Sequence, residues 1–345
     1  MPVVYYTPGH GLIADALIMH GVVRLCASAG TYEGEVVRVG EGFEVRTNCN
    51  ARGADLLQYL ARLAELYLSR GVVAGLLEKL AATNVNPGAF KAWVTSLSEA
   101  LGEFDLSSYM RRDHKQVQKE GRSKSKRLHT LYISLSSTYG KYVQEDMKVA
   151  DKQYGVCDTC FLTANLGLVF GATAVVHRER DQLDVIFMSP VPAERADFYD
   201  VLTIQRLTER YGETRKEMPT LAAPIYWLST GETLYAVDSP MELIVWRTSK
   251  KGSFIRSQEA STINLTKLMD FIAEVKREVP QWPIIVKDLA EDEPEILADL
   301  AEYVLFGGDP YKVVRELAMW TAKWNMKRKN WSSMDRITKV ILEKS

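Results

Sequence analysis

The chain has 345 residues, 46% of them hydrophobic and 25% charged, and a formal net charge of −1. That balance fits a folded globular protein with room for two domains, or one large domain with appendages, and excludes a fibrous or disordered chain. Four cysteines are too few for a disulfide scaffold of this length, and no apolar run approaches the roughly 18 residues of a membrane helix.

The start, MPVVYYTPGHG, lacks the basic and long apolar regions of a signal peptide, so the expected compartment is the cytoplasm. Asn and Gln number only 8 and 9, a sparseness shared with thermophilic proteins, among which cytosolic disulfides also occur. Val3 to Tyr6 reads as a first strand, ended by Pro8. Leu12, Ala16, Met19 and Val23 then recur at helical spacing and predict a buried helix. His10 lies at the strand-to-helix turn, either as a locally bonded turn residue or near amide donors that suit an anion. Glu35 to Thr47 alternates around Gly-Glu-Gly and predicts a hairpin, with Arg38 and Arg46 on its polar face. Further helices are expected from Asp55 to Gly71, Val73 to Ala82 and Ala89 to Glu103.

The most uneven charge in the chain follows. Met110 to His129 holds eight cations, Arg111, Arg112, Lys115, Lys119, Arg122, Lys124, Lys126 and Arg127, against Asp113 and Glu120, a local charge of +6. Like charges held together repel unless a polyanion answers them. Apolar residues are nearly absent, while Tyr109, Tyr132, Tyr139 and Tyr142 flank the stretch with flat rings. Cations interleaved with rings suit a phosphate backbone and unstacked bases. A solvated loop and an acidic protein partner are the competing readings.

Thr130 to Ser136 predicts a strand. Cys157-Asp-Thr-Cys160 is the spaced cysteine pair, open to three readings: a metal-free knuckle or disulfide, half of a structural zinc site with His177 as a third ligand, or a redox pair. Leu162 to Val176, with Gly167 and Gly171 inside it, reads as tightly packed core. Leu183 to Met188 predicts a strand closed by Ser189-Pro190-Val191-Pro192, and Ala193 to Tyr211 a helix with Phe198, Leu202 and Leu207 inward. Thr220 to Leu228 predicts another helix. Glu242 to Arg247 and Phe254 to Glu259 flank a second hairpin whose tip carries Lys250 and Lys251 beside Arg247 and Arg256. That tip either grips a phosphate backbone or keeps a sheet edge soluble.

Beyond Asn264, a cap, the pattern is helical: Leu265 to Glu278, ended by Pro280-Gln281-Trp282-Pro283, then Glu293 to Leu305, Tyr311 to Asn325 behind Asp309 and Pro310, and Ser333 to near Lys344. Trp320, Trp324 and Trp331 alternate with lysines and arginines and read either as a second aromatic and basic patch or as bundle core with cations outside. The expected fold class is therefore α+β. An N-terminal domain of residues 1–263 mixes short strands, hairpins and helices and carries the basic loop 110–129 and the knuckle 157–160. A helical bundle of residues 264–345 follows it. No GxxxxGK[ST], HExxH or GxSxG occurs, so binding is expected rather than turnover.

Several segments together resemble one family. They are the first strand followed by TPGHGLIADALIMHG, the basic stretch, GVCDTCFLTANLGL and the helical C-terminal block. They are similar to the archaeal large subunit of the type I-A CRISPR interference complex, or Cascade: the Cas-eight-a or Csa-four group. The resemblance covers most of the chain in length and order. It implies a cytoplasmic, non-catalytic subunit of a guide-RNA surveillance complex for antiviral defence, with no membrane attachment. Its implied partners are target DNA, CRISPR RNA, the other effector subunits and the Cas-three helicase and nuclease. Such subunits help recognise the protospacer-adjacent motif and hold the target or displaced strand, while the guide reads most of the sequence. The eight cations of the basic stretch are then the expected backbone contacts, with Lys250 and Lys251 second. Cys157 and Cys160 resemble the zinc-knuckle cysteines of related large subunits, although no complete second pair is evident; no cofactor other than such a zinc is expected. The competing function is a nuclease with dispersed catalytic residues.

Overall fold

The computed structural model describes residues 2–49, 106–111, 117–118, 129–130, 142–143, 149–150, 154–180, 182–208, 212–231, 237–251, 254–257, 260–325 and 332–343. The chain opens with β1 (Val3–Tyr6), the helix α1 (Leu12–Ser28), and a hairpin of β2 (Gly34–Val39) and β3 (Gly42–Thr47). Its two-residue turn places Gly40 at φ 62°, where a Cβ would be penalised. The helices expected between Asp55 and Glu103 lie outside the described residues.

A 3₁₀ turn (Ser107–Met110) precedes five short strands: β4 (Val117–Gln118), β5 (His129–Thr130), β6 (Tyr142–Val143), β7 (Val149–Ala150) and β8 (Tyr154–Val156). Of the strand expected at Thr130 to Ser136, only Thr130 falls within the described residues. Then come α2 (Asp158–Gly171), β9 (Thr173–Glu179), β10 (Gln182–Pro192), β11 (Arg195–Asp197), α3 (Phe198–Leu207), β12 (Gly212–Thr214) and α4 (Ala222–Thr230). Strands β13 (Met241–Lys251), β14 (Phe254–Ser257) and β15 (Ser261–Asn264) complete the mixed part. Helices close the chain: α5 (Leu265–Glu278), α6 (Trp282–Asp292), α7 (Pro294–Phe306), α8 (Pro310–Asn325) and α9 (Ser332–Glu343). The fold is α+β, with mixed strands first and helices last.

The first sheet has the order β1-β3-β2-β11, and the larger sheet runs β12-β9-β10-β13-β14 with β15 also paired to β13. Strand β10 runs through both prolines that were expected to end it. Its pairing with β9 stops at Met188 opposite Thr173, whereas its pairing with β13 continues to Pro192 opposite Met241. Pro190 and Pro192 share one side of the strand, and that side has lost its neighbour, so no ladder bond needs the missing N–H. The Pro190 carbonyl on this side accepts instead from Nε2 of His20 at 2.7 Å.

Three further expectations are corrected. Residues 195–197 pair with β2, so α3 starts at Phe198, capped by Asp197, whose carboxylate accepts from the Asp200 N–H at 2.8 Å. Its inward side chains are Phe198, Val201, Ile204 and Gln205, while Leu202 and Leu207 are only part-buried. Leu162 to Val176 is largely buried as expected but divides into the end of α2 and the start of β9, and α2 is apolar nearly all round, so no 3.6-residue period marks it. Pro283, taken as a stop, sits in the first turn of α6, where a missing N–H costs nothing.

Helix α1 is buried on every side from Ile13 to Val23 and crosses α2 at glycines. A Cβ on Gly167 would stand 1.7 Å from the Leu17 carbonyl oxygen, and one on Gly21 would stand 2.2 Å from that of Thr163. His20 lies at the same crossing. Its Nδ1 accepts from Nε2 of Gln205 at 3.4 Å while Nε2 donates to Pro190, an arrangement for a neutral ring. Burial pushes its pKa down to about 4, against the contact with the Pro190 carbonyl.

The C-terminal helices pack on α4. Trp282 Nε1 donates to Ser229 Oγ at 2.8 Å, and the Lys276 ammonium donates to the Leu228 carbonyl at 2.8 Å. Asn264 caps α5 by accepting from Lys267 N–H at 2.9 Å, and Asp309 accepts from Tyr311 N–H at 3.0 Å, both as the sequence predicts. Trp320 is buried in this packing. The side chain of Trp324, and Trp331 entirely, lie outside the described residues.

Candidate nucleic-acid interface

The basic stretch is entered from the turn Ser107–Met110. Leu106 and Tyr109 are buried there, and the Tyr109 hydroxyl meets Thr163 and the thiol of Cys160 on the first two turns of α2. Burial, with Cys160 close by, pushes the Tyr109 phenol well above its usual range. Arg111 follows, extended and exposed. Arg112, Lys115, Lys119, Arg122, Lys124, Lys126 and Arg127 lie outside the described residues.

Two points inside the stretch are fixed by backbone pairing. In β4, Val117 pairs with Gly155 and Gln118 with Tyr154; in β5, His129 pairs with Val156 and Thr130 with Gly155. Strand β8 is therefore the middle of a three-stranded sheet whose two edges belong to the basic stretch. Residues 119–128, with five of the eight cations, connect one edge to the other. Strand β8 runs directly into Cys157 at the N-cap position of α2, so the cysteine motif forms the root of the cationic segment. Nothing in the sequence signals this link, because it depends on which strand pairs with which.

Cys157 is half-buried and Cys160 fully buried, three residues apart on the first helical turn. The contact with Cys157, then burial, push the Cys160 thiol far up. Structural zinc needs four ligands, usually thiolate or imidazole. Among the described residues no three of His, Cys, Asp or Glu gather as a metal site. His177, the expected third ligand, turns Nδ1 to the Thr214 carbonyl at 3.1 Å. Cys26 and Cys49 contact each other rather than joining the first pair. The described side chains thus supply two donors where zinc requires four.

The second candidate, Lys250–Lys251, differs from expectation. These residues are not in a loop but end β13, Lys250 opposite Ile255 and Lys251 opposite Phe254, because the strand continues through Thr248 and Ser249. Lys251 is exposed. Arg247, expected to help them, is instead held by Asp184, with Nε to Oδ1 at 2.8 Å and Nη2 to Oδ2 at 2.7 Å, and by Glu217. Arg38 pairs with Glu242, and Arg46 with Glu35 at 3.0 Å and Glu44 at 2.8 Å. These three arginines answer carboxylates of their own fold, which makes them poor phosphate ligands.

Sequence reading overlooked two cations at this end of the larger sheet. Leu183 pairs with Arg178 on one side and Lys250 on the other, so one cross-strand row carries both. Exposed Arg180 follows in the turn, at φ 46°. The sole sequence clue is the run His177-Arg-Glu-Arg180, which gains meaning only from strand register.

The described part is thus an α+β scaffold that ties a cationic segment to its core by edge strands and a capped helix. Comparison with known proteins identifies its kind. The family model for CRISPR-associated protein (Cas_Csa4) matches residues 3–343. A protein of Thermoproteus tenax described as CRISPR system associated protein Cas8 is 35% identical over 335 residues, covering 90% of this chain and 91% of the relative. The chain belongs to the Cas_Csa4 family, the Cas8 type of CRISPR-associated large subunit. No helix among the described residues is long and apolar enough to cross a membrane.

Proposed function

We propose that the chain is the non-catalytic large subunit of a type I-A guide-RNA surveillance complex of the archaeal cytoplasm. It binds target DNA at the protospacer-adjacent motif and along the displaced strand. Arg111, Arg112, Lys115, Lys119, Arg122, Lys124, Lys126 and Arg127 contact the backbone, with Lys250 and Lys251 in a secondary position. CRISPR RNA, the other effector subunits and the Cas-three helicase and nuclease are its partners, the last recruited after target recognition.

One observation carries this reading: a +6 stretch begins on buried Tyr109 and returns twice to the strand entering α2. Anchoring such a segment limits the conformations open to it and concentrates charge in one place, as a phosphate-tracking element requires. Membership in a CRISPR-associated family supports nucleic acid as the polyanion.

The test uses the assembled complex with guide RNA. Substituting Lys119, Arg122, Lys124 and Lys126 by Glu is expected to weaken target-duplex binding. The slope of log affinity against log salt should flatten by about 0.9 for each phosphate that is no longer neutralised. An unchanged slope removes the stretch from the interface. Incubating the purified chain with labelled DNA and a divalent metal is expected to leave the DNA intact; cleavage would establish the nuclease reading instead.

A further inference from the structure

Cys26 and Cys49 have no part in the proposed interface. Cys26 lies in the last turn of α1, Cys49 two residues beyond β3, and both are 0% exposed. Their side chains hydrogen-bond to each other across the packed face between that helix and strand. The backbone is fixed at both positions. The Cys26 carbonyl accepts from Ala29 N–H at 3.1 Å and Thr31 N–H at 3.0 Å. The Cys49 carbonyl accepts from the Tyr5 hydroxyl at 2.8 Å, and its N–H donates to Thr47 Oγ1 at 3.1 Å.

We propose that Cys26 and Cys49 form a structural disulfide that joins the end of α1 to the end of β3. A disulfide requires two β-carbons within a few ångströms on backbones that do not have to move. Two thiols in hydrogen-bond contact, each on backbone held by its own hydrogen bonds, are placed to form that bond, which would close residues 26–49 into a ring. The reaction is thiol–disulfide exchange with a low-molecular-weight disulfide. One cysteine thiolate attacks the oxidant and releases its first thiolate. The second cysteine then attacks the mixed disulfide, releasing the other. The protein loses two protons and two electrons, and the oxidant ends as two thiols. Both thiols are 0% exposed in the closed fold and out of reach of an oxidant, so exchange precedes closure of the hairpin on the helix.

The test is refolding of the full chain in a buffer of reduced and oxidised glutathione, acid quenching, and alkylation with iodoacetamide in denaturant without reduction. Peptide mapping by mass spectrometry is expected to find the Cys26 and Cys49 peptides joined, lighter by two hydrogens than the separate peptides. A chain carrying Cys157→Ser and Cys160→Ser isolates the pair: it should take up no label before reduction and two labels after. Reducing the linked protein is expected to lower its unfolding midpoint by roughly 5 °C. Alkylation of both Cys26 and Cys49, or linkage of either to another cysteine, overturns the proposal. If the double serine variant does not fold, mapping of the unaltered chain decides alone.

Discussion

The crossing of α1 and α2 makes a strong demand on single residues, and Gly167→Ala tests it. An added Cβ would lie 1.7 Å from the Leu17 oxygen, 2.4 Å from its carbonyl carbon and 2.7 Å from its α-carbon. All three atoms are backbone, so no rotamer change relieves the clash. Carbon and carbonyl oxygen approach to about 3.3 Å at closest, which requires the helices to part by roughly 1.5 Å. A gap of that order forfeits a large share of the dispersion attraction along the crossing. Overpacking of this kind costs about 1–3 kcal/mol, and rigid backbone on both sides puts this case at or above the upper end. Alanine's better helix propensity returns about 1 kcal/mol. The net expectation is a loss of about 2 kcal/mol or more, read as a lower urea midpoint of the full chain with an unchanged denaturant slope. Gly21→Ala, 2.2 Å from the Thr163 oxygen, and Gly171→Ala, 2.2 Å from the His20 ring, should also destabilise, each less than Gly167→Ala. An unchanged or raised midpoint for Gly167→Ala would refute backbone contact between the helices.

The same crossing holds two buried groups whose protonation acts in opposite directions. His20, lowered to about 4 by burial, costs stability as pH falls from 6.5 to 4, because the unfolded ring gains a proton that the folded ring refuses. Asp15, raised to about 6 by burial against the amides of Gly9, His10 and Gly11 and the Thr7 hydroxyl, adds stability as pH falls from 6 to 3.8. Each effect is about 3 kcal/mol, so they nearly cancel. Asp15→Asn is expected to expose the His20 loss as a steeper decline of the urea midpoint between pH 6.5 and 4 than the unaltered chain shows; parallel curves would disprove the linkage. Tyr109→Phe should cost about 1 kcal/mol for the hydroxyl that meets Thr163 and Cys160, and Tyr109→Ala about 3–5 kcal/mol, again by urea titration. Equal losses would mean the ring is not packed. Asp184→Asn leaves Arg247, whose side chain is 11% exposed, with Glu217 as its carboxylate and should cost about 2 kcal/mol in thermal unfolding; a loss under about 0.5 kcal/mol would show that Glu217 alone suffices.

The parts of the fold legible in the sequence are those specified by nearby residues. Asn264 before α5, Asp309 and Pro310 before α8, and the alternation around Gly40 each act within one turn of chain. What the sequence concealed is set by distant neighbours. Pro190 and Pro192 look like a stop until the end of β9 opposite Met188 removes the partner they would have failed. Pro283 looks like a terminator and begins a helix. Gly167 and Gly171 read as tightly packed core, but what they pack on, Leu17 and His20, lies on another helix that the sequence does not point to. At the candidate site the cations were legible as a run, and their anchoring was not. The sequence places Arg247 beside Lys250 and Lys251, whereas Asp184, on the neighbouring strand, claims it.

Charge distribution limits how the proposed contact with nucleic acid can form. The chain as a whole is −1, so the residues outside the +6 stretch sum to −7 and give a polyanion no long-range attraction. Arg38, Arg46 and Arg247 are engaged with carboxylates of the two sheets. At physiological salt, fields fade over about 8 Å. Attraction therefore acts only where the cationic segment already lies against phosphate, and placement matters more than total charge. Pairing both flanks of that segment to β8, and rooting β8 on a helix fixed by glycine contacts to α1, is a way to supply placement. Under the proposed function, Cys157, Cys160 and Tyr109 would serve recognition indirectly, by holding the strand to which both flanks of the cationic segment pair.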